Sequence, residues 1–189
     1  MISTKHELKE FLTADRVAMG FEKKSRLIEL LKGNLDSVML LNHMIFLRKY
    51  EYFLSKGKRK SFFYKLRYLY YKHTYARKKL KSNLFISPNV FDKGLCLVHP
   101  GYVWIDRSSR IGKNCTVLPR VLLGKKHPGI PAPCIFIGDN CYIGTGATIL
   151  GPIRIGNNVT IAAGAVVVKD VPDNCIVAGN PAKIVKYKE

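Results

Sequence analysis

The stretch Ile137-Gly138-Asp139-Asn140-Cys141-Tyr142-Ile143-Gly144-Thr145-Gly146-Ala147-Thr148-Ile149-Leu150-Gly151-Pro152-Ile153-Arg154-Ile155-Gly156 returns an aliphatic residue at every sixth position: Ile137, Ile143, Ile149 and Ile155. The beat runs forward to Ile161 and Val167. Backward, after an interruption, it continues at Leu123, Val117, Ile111 and Ile105. Neither the period of about 3.6 residues of a helix nor the two-residue period of a strand returns to one face every six residues over so many units. The pattern predicts a parallel β-helix, in which each side is a short strand plus a turn, three sides close a triangular coil, and stacked coils bury the aliphatic column.

The other positions of the repeat agree. One residue after the aliphatic, Gly112, Gly124, Gly138, Gly144 and Gly156 recur, with Ala162 in the same slot; such residues suit a corner with little room for a Cβ. Four residues after it come Ser109, Cys115, Val121, Cys141, Ala147, Val159, Ala165 and Val171, mostly small side chains that fit a narrow interior.

The 189 residues allow one compact domain and an appendage. The net charge of +19 is uneven: residues 1–85 hold 20 Lys+Arg and 7 Asp+Glu, and residues 86–189 hold 12 and 6. No run of about 18 apolar residues exists, and the N-terminus lacks the order of a signal peptide, so a cytosolic, non-spanning chain is expected. Five cysteines fit no disulfide framework, and no Cys-x-x-Cys pair suggests a metal. Cys115 and Cys141 occupy the interior slot, and Cys96, Cys134 and Cys175 have no paired His at short spacing, so packed, reduced thiols are expected.

The first part of the chain reads as helical. Thr4-Lys5-His6-Glu7 has capping-box spacing before an apolar pattern running to Gly20. A second helical stretch starts near Arg26 and breaks at Gly33-Asn34. Asp36 is the expected cap of a third, running toward Gly57, and Ser61 of a last one through Leu80. Between Arg48 and Lys81 there are 13 Lys+Arg and a single acidic residue, Glu51, interleaved with aromatics that include Phe62, Phe63, Tyr64, Tyr68, Tyr70, Tyr71 and Tyr75. Taken one by one, these residues read as a solvated face with aromatics packed on the coil. Their density calls for an anionic partner, either a membrane surface or nucleic acid, and the membrane is the better fit. The expected class is therefore α+β: an N-terminal basic α-helical region, residues 1–84, followed by a parallel β-helix with one protruding loop, residues 85–189.

The pattern Ile-Gly-x-Asn, as in Ile111-Gly112-Lys113-Asn114 and Ile155-Gly156-Asn157-Asn158, with the closing Val177-Ala178-Gly179-Asn180-Pro181-Ala182-Lys183, resembles the hexapeptide-repeat acyltransferase family. Gly94-Leu95-Cys96-Leu97-Val98-His99-Pro100-Gly101 and the His127-Pro128 loop resemble its serine acetyltransferase branch, and the likeness covers residues 86 to 189. The resemblance implies left-handed coils, a homotrimer, and acetyl-coenzyme A as co-substrate without a metal; whether two trimers join through their helical ends, as in the serine enzymes, is left open by the sequence. It also implies a coenzyme groove between neighbouring subunits, matched here by Thr145, Ala163, Val168, Lys169, Lys183 and Lys186, although Thr145 and Ala163 also read as ordinary coil residues and lysine is a common surface residue. The sequence ends at Glu189, short of the tail that closes over the site in the serine enzymes, so control by cysteine is not expected.

Acyl transfer to a hydroxyl needs a base, donors for an oxyanion and alignment of two substrates. Imidazole is the natural base near neutral pH. Of five histidines, His6, His43 and His73 fall on expected helices, where a structural or solvated role is the ordinary one; His99 and His127 lie in the repeat half. His99 sits where the beat slips, seven residues separating Val98 from Ile105, beside Pro100-Gly101. It matches the family's catalytic histidine and ranks first as base. His127 lies in the loop Gly124–Pro133 that interrupts the beat, and ranks as a second site residue or substitute. Two departures bear on the acceptor. Val98 stands where the serine enzymes carry the aspartate that holds the amino acid, and Phe85 stands where they carry the aspartate that orients the base. A backbone carbonyl, Asp92 or Asp106 is left to orient His99, and a neutral sugar hydroxyl of a surface polysaccharide or its lipid- or nucleotide-linked precursor is the expected acceptor. The alternatives are free serine, the amine of an amino-sugar nucleotide, and a non-catalytic trimer that binds nucleic acid or membrane through its basic helices. A metal-dependent hydratase would need three converging histidines, and the repeat half has two.

Overall fold

The computed structural model describes residues 1–22, 25–56 and 62–188. Four helices, α1 (Lys5–Ala18), α2 (Arg26–Leu31), α3 (Leu35–Lys56) and α4 (Phe62–Ser82), precede a left-handed parallel β-helix of stacked triangular coils. Its first face carries β1 (Leu84–Ile86), β3 (Val103–Ile105), β6 (Leu122–Lys125), β9 (Thr148–Gly151) and β12 (Val166–Val167). The second carries β4 (Ser109–Ile111), β7 (Ile135–Ile137) and β10 (Ile153–Ile155). The third carries β2 (Cys96–Leu97), β5 (Thr116–Val117), β8 (Tyr142–Ile143), β11 (Thr160–Ile161) and β13 (Cys175–Gly179), with β14 (Ala182–Tyr187) folded back antiparallel on β13.

The six-residue beat becomes register. Ile86, Ile105, Leu123, Ile149 and Val167 are Cα partners down the first face, Ile111, Ile137 and Ile155 down the second, and Val117, Ile143, Ile161 and Val177 down the third. All are buried, and so are the small residues between them: Cys115, Val121, Ala147, Val159 and Ala165. The glycine and asparagine of Ile-Gly-x-Asn divide the labour of one corner. A Cβ on Gly138 would come 2.5 Å from Asn157 Oδ1 and 2.8 Å from its backbone nitrogen, so glycine is required by close approach of the next coil. The left-handed backbone falls instead on Asn114, Asn140, Asn158 and Asn174, with φ of 54°, 56°, 53° and 56°, a conformation that asparagine tolerates better than most residues. Their amides also stack, Asn158 Nδ2 donating to Asn174 Oδ1 at 2.9 Å.

Thr4 caps α1 with both bonds of the capping box. Gly33, at φ 79°, separates α2 from α3. Because α3 begins at Leu35, Asp36 lies inside its first turn and does not cap it. The breaks expected at Gly57 and Ser61 lie outside the described residues. Tyr68 and Tyr71 on the inner side of α4 meet α3 through Tyr50–Tyr68 and Phe53–Tyr71 ring pairs, 6.1 and 5.0 Å between centroids. Most of the α4 aromatics thus pack on α3 or face outward, whereas the sequence suggested packing on the coil; Tyr75, buried, joins the coil's own core with Leu40, Met44 and Leu47.

A buried charged cluster joins α1 and α3 to the first coil. The Arg48 guanidinium, fully buried, donates from Nε to Asp15 Oδ2 at 2.7 Å, from Nη1 to Glu51 Oε2 at 3.0 Å and to the Phe91 carbonyl at 3.0 Å, and from Nη2 to the Asp92 carbonyl at 2.8 Å. Asp15 Oδ1 accepts from the Gly94 and Leu95 amides, and Glu51 Oε1 from the Asn89 amide. Burial works against the charge of Arg48, but Glu51 and Asp15 outweigh it and raise its pKa.

Candidate active site

The corners of the prism sort the candidate residues into two rows. Where the third face turns into the first, His99 follows β2, Thr145 follows β8 and Ala163 follows β11, each one coil step or more along the same edge. This edge is laced by backbone bonds: Arg120 N to the Tyr102 carbonyl, Gly146 N to the Pro119 carbonyl at 3.0 Å, and Gly164 N to the Thr145 carbonyl at 2.8 Å. Where the first face turns into the second, His127 follows β6, and Val168 and Lys169 follow β12. The His127 loop is fastened there. Lys126 Nζ donates to the Val168 carbonyl at 2.8 Å, the Lys126 amide to the Gly151 carbonyl at 3.0 Å, and Lys125 Nζ to the Ile130 carbonyl at 2.6 Å.

His99 and His127 are therefore at opposite ends of the first face, one before β3 and the other after β6, and a single chain does not bring them to one corner. Both rings are exposed. Among the described residues no hydrogen bond or ion pair holds either imidazole. The two carboxylates considered as orienting groups are placed elsewhere: Asp106 lies beyond β3 at the far edge, accepting from the Ser108 amide at 2.9 Å, and Asp92 lies past the second face, accepting from the Lys93 amide at 2.7 Å. Neither reaches the His99 corner, because a strand or a whole side of the coil lies between. Lys183 and Lys186 are exposed on β14, opposite Ala178 and Ile176 on the last coil.

Beside His99 the first face presents a set of aromatic rings that the sequence reading did not assemble. Phe85 on β1 is the Cα partner of Trp104 on β3, with centroids 5.5 Å apart, and Tyr102 lies 5.9 Å from Phe85. Tyr102 and Trp104 remain 44% and 43% exposed, as does Val98 at 38%. The signal was available in the outward slot of the strand Val103–Ile105 and one coil earlier at Phe85. In the sequence Phe85 shows only the absence of an aspartate.

The remaining histidines are elsewhere. His6 and His73 are exposed on α1 and α4, while His43 is buried on α3 against Ser82 and Tyr75. All five cysteines are free thiols; burial pushes those of Cys96 and Cys175 up. Among the described residues no helix is long and apolar enough to cross a membrane, and no cluster of three metal-ligating side chains forms.

Residues 135–169 match the family model described as bacterial transferase hexapeptide (six repeats). Serine acetyltransferase 4 of Arabidopsis thaliana is 39% identical over 102 residues, half of this chain but 27% of that protein, so the chain spans well under two thirds of such curated relatives. Among solved structures, the Neisseria gonorrhoeae serine acetyltransferase in complex with serine is 32% identical, with a TM-score of 0.67, over 96% of this chain and 70% of the other. The soybean serine acetyltransferase apoenzyme gives 27%, 0.70, 96% and 70%. These likenesses favour the serine alternative over the polysaccharide acceptor expected from the sequence.

Proposed function

The chain belongs to the hexapeptide-repeat acyltransferase family, and from that premise we propose that it transfers an acetyl group from acetyl-coenzyme A to a hydroxyl by direct reaction in a ternary complex. The observation that carries the reading is the edge on which an exposed, unpaired His99 stands in line with Thr145 and Ala163. His99 takes the acceptor's hydroxyl proton as the oxygen attacks the thioester carbonyl. Backbone N–H groups along the edge stabilise the tetrahedral oxyanion. Collapse of that intermediate forms the ester and breaks the C–S bond, and the proton on His99 passes to the departing thiolate. Thr145 and Ala163 on one edge, with Val168, Lys169, Lys183 and Lys186, would flank the coenzyme, the lysines facing its phosphates.

The two histidine-bearing edges would meet where one copy's His99 edge faces the next copy's His127 edge, a head-to-tail contact of the kind that closes into a ring. We therefore place the working form as a homotrimer, with pairing of two trimers through the helices as a further assembly. L-serine is the first acceptor, supported by the serine acetyltransferases that resemble the chain over nearly its full length. A sugar hydroxyl is the second reading, and a specific observation favours it: Val98 beside His99 in the chain is exposed, and the strand that follows His99 carries a cluster of exposed or half-exposed rings, Tyr102 and Trp104 with Phe85, suited to an uncharged ring.

The test is acetyl-coenzyme A-dependent release of coenzyme A thiol with L-serine, nucleotide sugars and short lipid-linked glycans. His99→Ala should lower the rate by about 10²–10⁴-fold, and His127→Ala should fall short of that if His127 only positions the acceptor. Release with serine supports the first reading and release with a glycan alone the second. Turnover undiminished in His99→Ala would remove the assigned base.

A further inference from the structure

We infer that the outer face of α4 lies on an anionic lipid bilayer, holding the enzyme at a membrane surface without crossing it. The helix has two apolar faces and only one is used. Its inner face, Tyr64, Tyr68, Tyr71 and Tyr75, is half-buried or buried toward α3 and the coil. Its outer face is a second stripe: Phe62, Leu66, Leu69, His73, Ala76 and Leu80 recur at spacings of three and four, widened by Phe63 and Tyr70. That stripe is open to solvent, with Phe62 at 72% exposure, Phe63 at 75% and Leu80 at 68%.

The charge on either side of the stripe identifies the occupant. The helix holds seven Lys+Arg and no acidic residue. Projected at about 100° per residue, Lys65, Lys72 and Lys79 fall along one flank and Arg67, Lys78 and Lys81 along the other, while the exposed Arg77 falls at the edge of the stripe between Leu66 and Tyr70. Among the described residues none of these cations forms an ion pair with a carboxylate. Lys78 is held below its ordinary pKa by burial and then by the nearby charges of Lys81 and Arg26, a sign of positive charge crowded without a counter-ion. An apolar stripe bordered by long cationic side chains is the arrangement of a helix lying in the plane of a bilayer, its apolar residues among the acyl chains and its lysines at the headgroups. Nucleic acid would use the cations but would leave Phe62, Phe63, Leu66 and Leu80 in water. A second copy would bring a like-charged helix against these lysines. In a trimer three such helices would act together, and each need bind only weakly.

The experiment is cosedimentation of the full chain with vesicles of phosphatidylcholine mixed with phosphatidylglycerol, against phosphatidylcholine alone, at low and high salt. Two variants accompany the wild type: Phe62→Gln/Leu66→Gln/Leu80→Gln and Lys65→Gln/Lys72→Gln/Lys81→Gln. All six side chains point outward, so the thermal midpoint and turnover with a soluble acceptor should be unchanged, which separates failure of this inference from failure of the acetyltransferase reading. The wild type should bind the anionic vesicles and lose them at high salt, with at least about tenfold weaker binding in the apolar variant and about a hundredfold weaker in the lysine variant. Equal recovery with both lipid compositions, or anionic-vesicle binding unchanged in the apolar variant, overturns the inference. So does a sedimentation mass that halves in the apolar variant, which gives the face to a second copy, or tight salt-sensitive DNA binding without vesicle binding.

Discussion

His43 is a neutral imidazole packed where a charge cannot be held. Its Nδ1 lies 3.0 Å from Ser82 Oγ, which also donates to the Lys78 carbonyl at 2.7 Å, and its Nε2 lies 3.4 Å from Tyr75 Oη. Burial, followed by the charges of Lys78 and Lys79, lowers the pKa of His43 from 6.5 to about 3. The unfolded chain takes up a proton below about pH 6.5 and the folded chain does not until about pH 3, so the unfolded state binds more protons throughout that window and stability falls as pH falls through it. His43→Gln should flatten this acid limb: thermal midpoints measured from pH 7 to pH 4 should decline less steeply than those of the wild type, and parallel slopes would assign the acid sensitivity to other groups. The sequence placed His43 on a helix, and it lies on α3. Its environment was not legible, because Ser82 lies 39 positions away and meets it only through the packing of α3 on α4. The corner residues were half legible for a similar reason. Glycine was seen as a place without room, while the left-handed turn at Asn140 and its neighbours belongs to a residue type that also serves in many other settings.

At the scale of elements, the docking of helices on coil depends on a charge rather than on an apolar seam alone. Arg48 satisfies Asp15 of α1, Glu51 of α3 and two carbonyls of the first coil, and Asp15 and Glu51 in turn hold the Gly94, Leu95 and Asn89 amides. Arg48→Met would keep the volume and strand two buried carboxylates, at a cost of about 3–5 kcal/mol. Urea unfolding should show it as a lower midpoint, and a shift under about 1 kcal/mol would mean that water or relaxation takes the place of the guanidinium. Hydrophobic periodicity located α1 and the repeat because both are local patterns. It could not locate this cluster, whose contacts, apart from the Arg48–Glu51 pair three positions apart, join residues 33 to 80 positions apart. The same holds for Phe85, Tyr102 and Trp104, which only the register between β1 and β3 brings together.

At the scale of the whole molecule, His99 and His127 lie at opposite ends of one face, so the proposed site, which uses both, would draw on two copies. Mixing His99→Ala with His127→Ala protein, under conditions that let subunits exchange, should restore part of the activity that each has lost. A mixture no more active than its components would place both histidines in separate, single-chain roles. The repeat made the β-helix readable from sequence, but how one copy would meet another is not written in any one chain's periodicity. Leu40, Met44, Leu47 and Tyr75 of the helices are buried together with Leu84 and Ile86 of the first coil. The coils, finally, work as a ruler. Each adds one strand spacing, about 4.8 Å, so the distance from His99 on the first coil to β13 on the last, beside which β14 carries Lys183 and Lys186, changes in whole steps. A shorter or longer acyl carrier could be matched by removing or inserting one complete coil, and by nothing smaller.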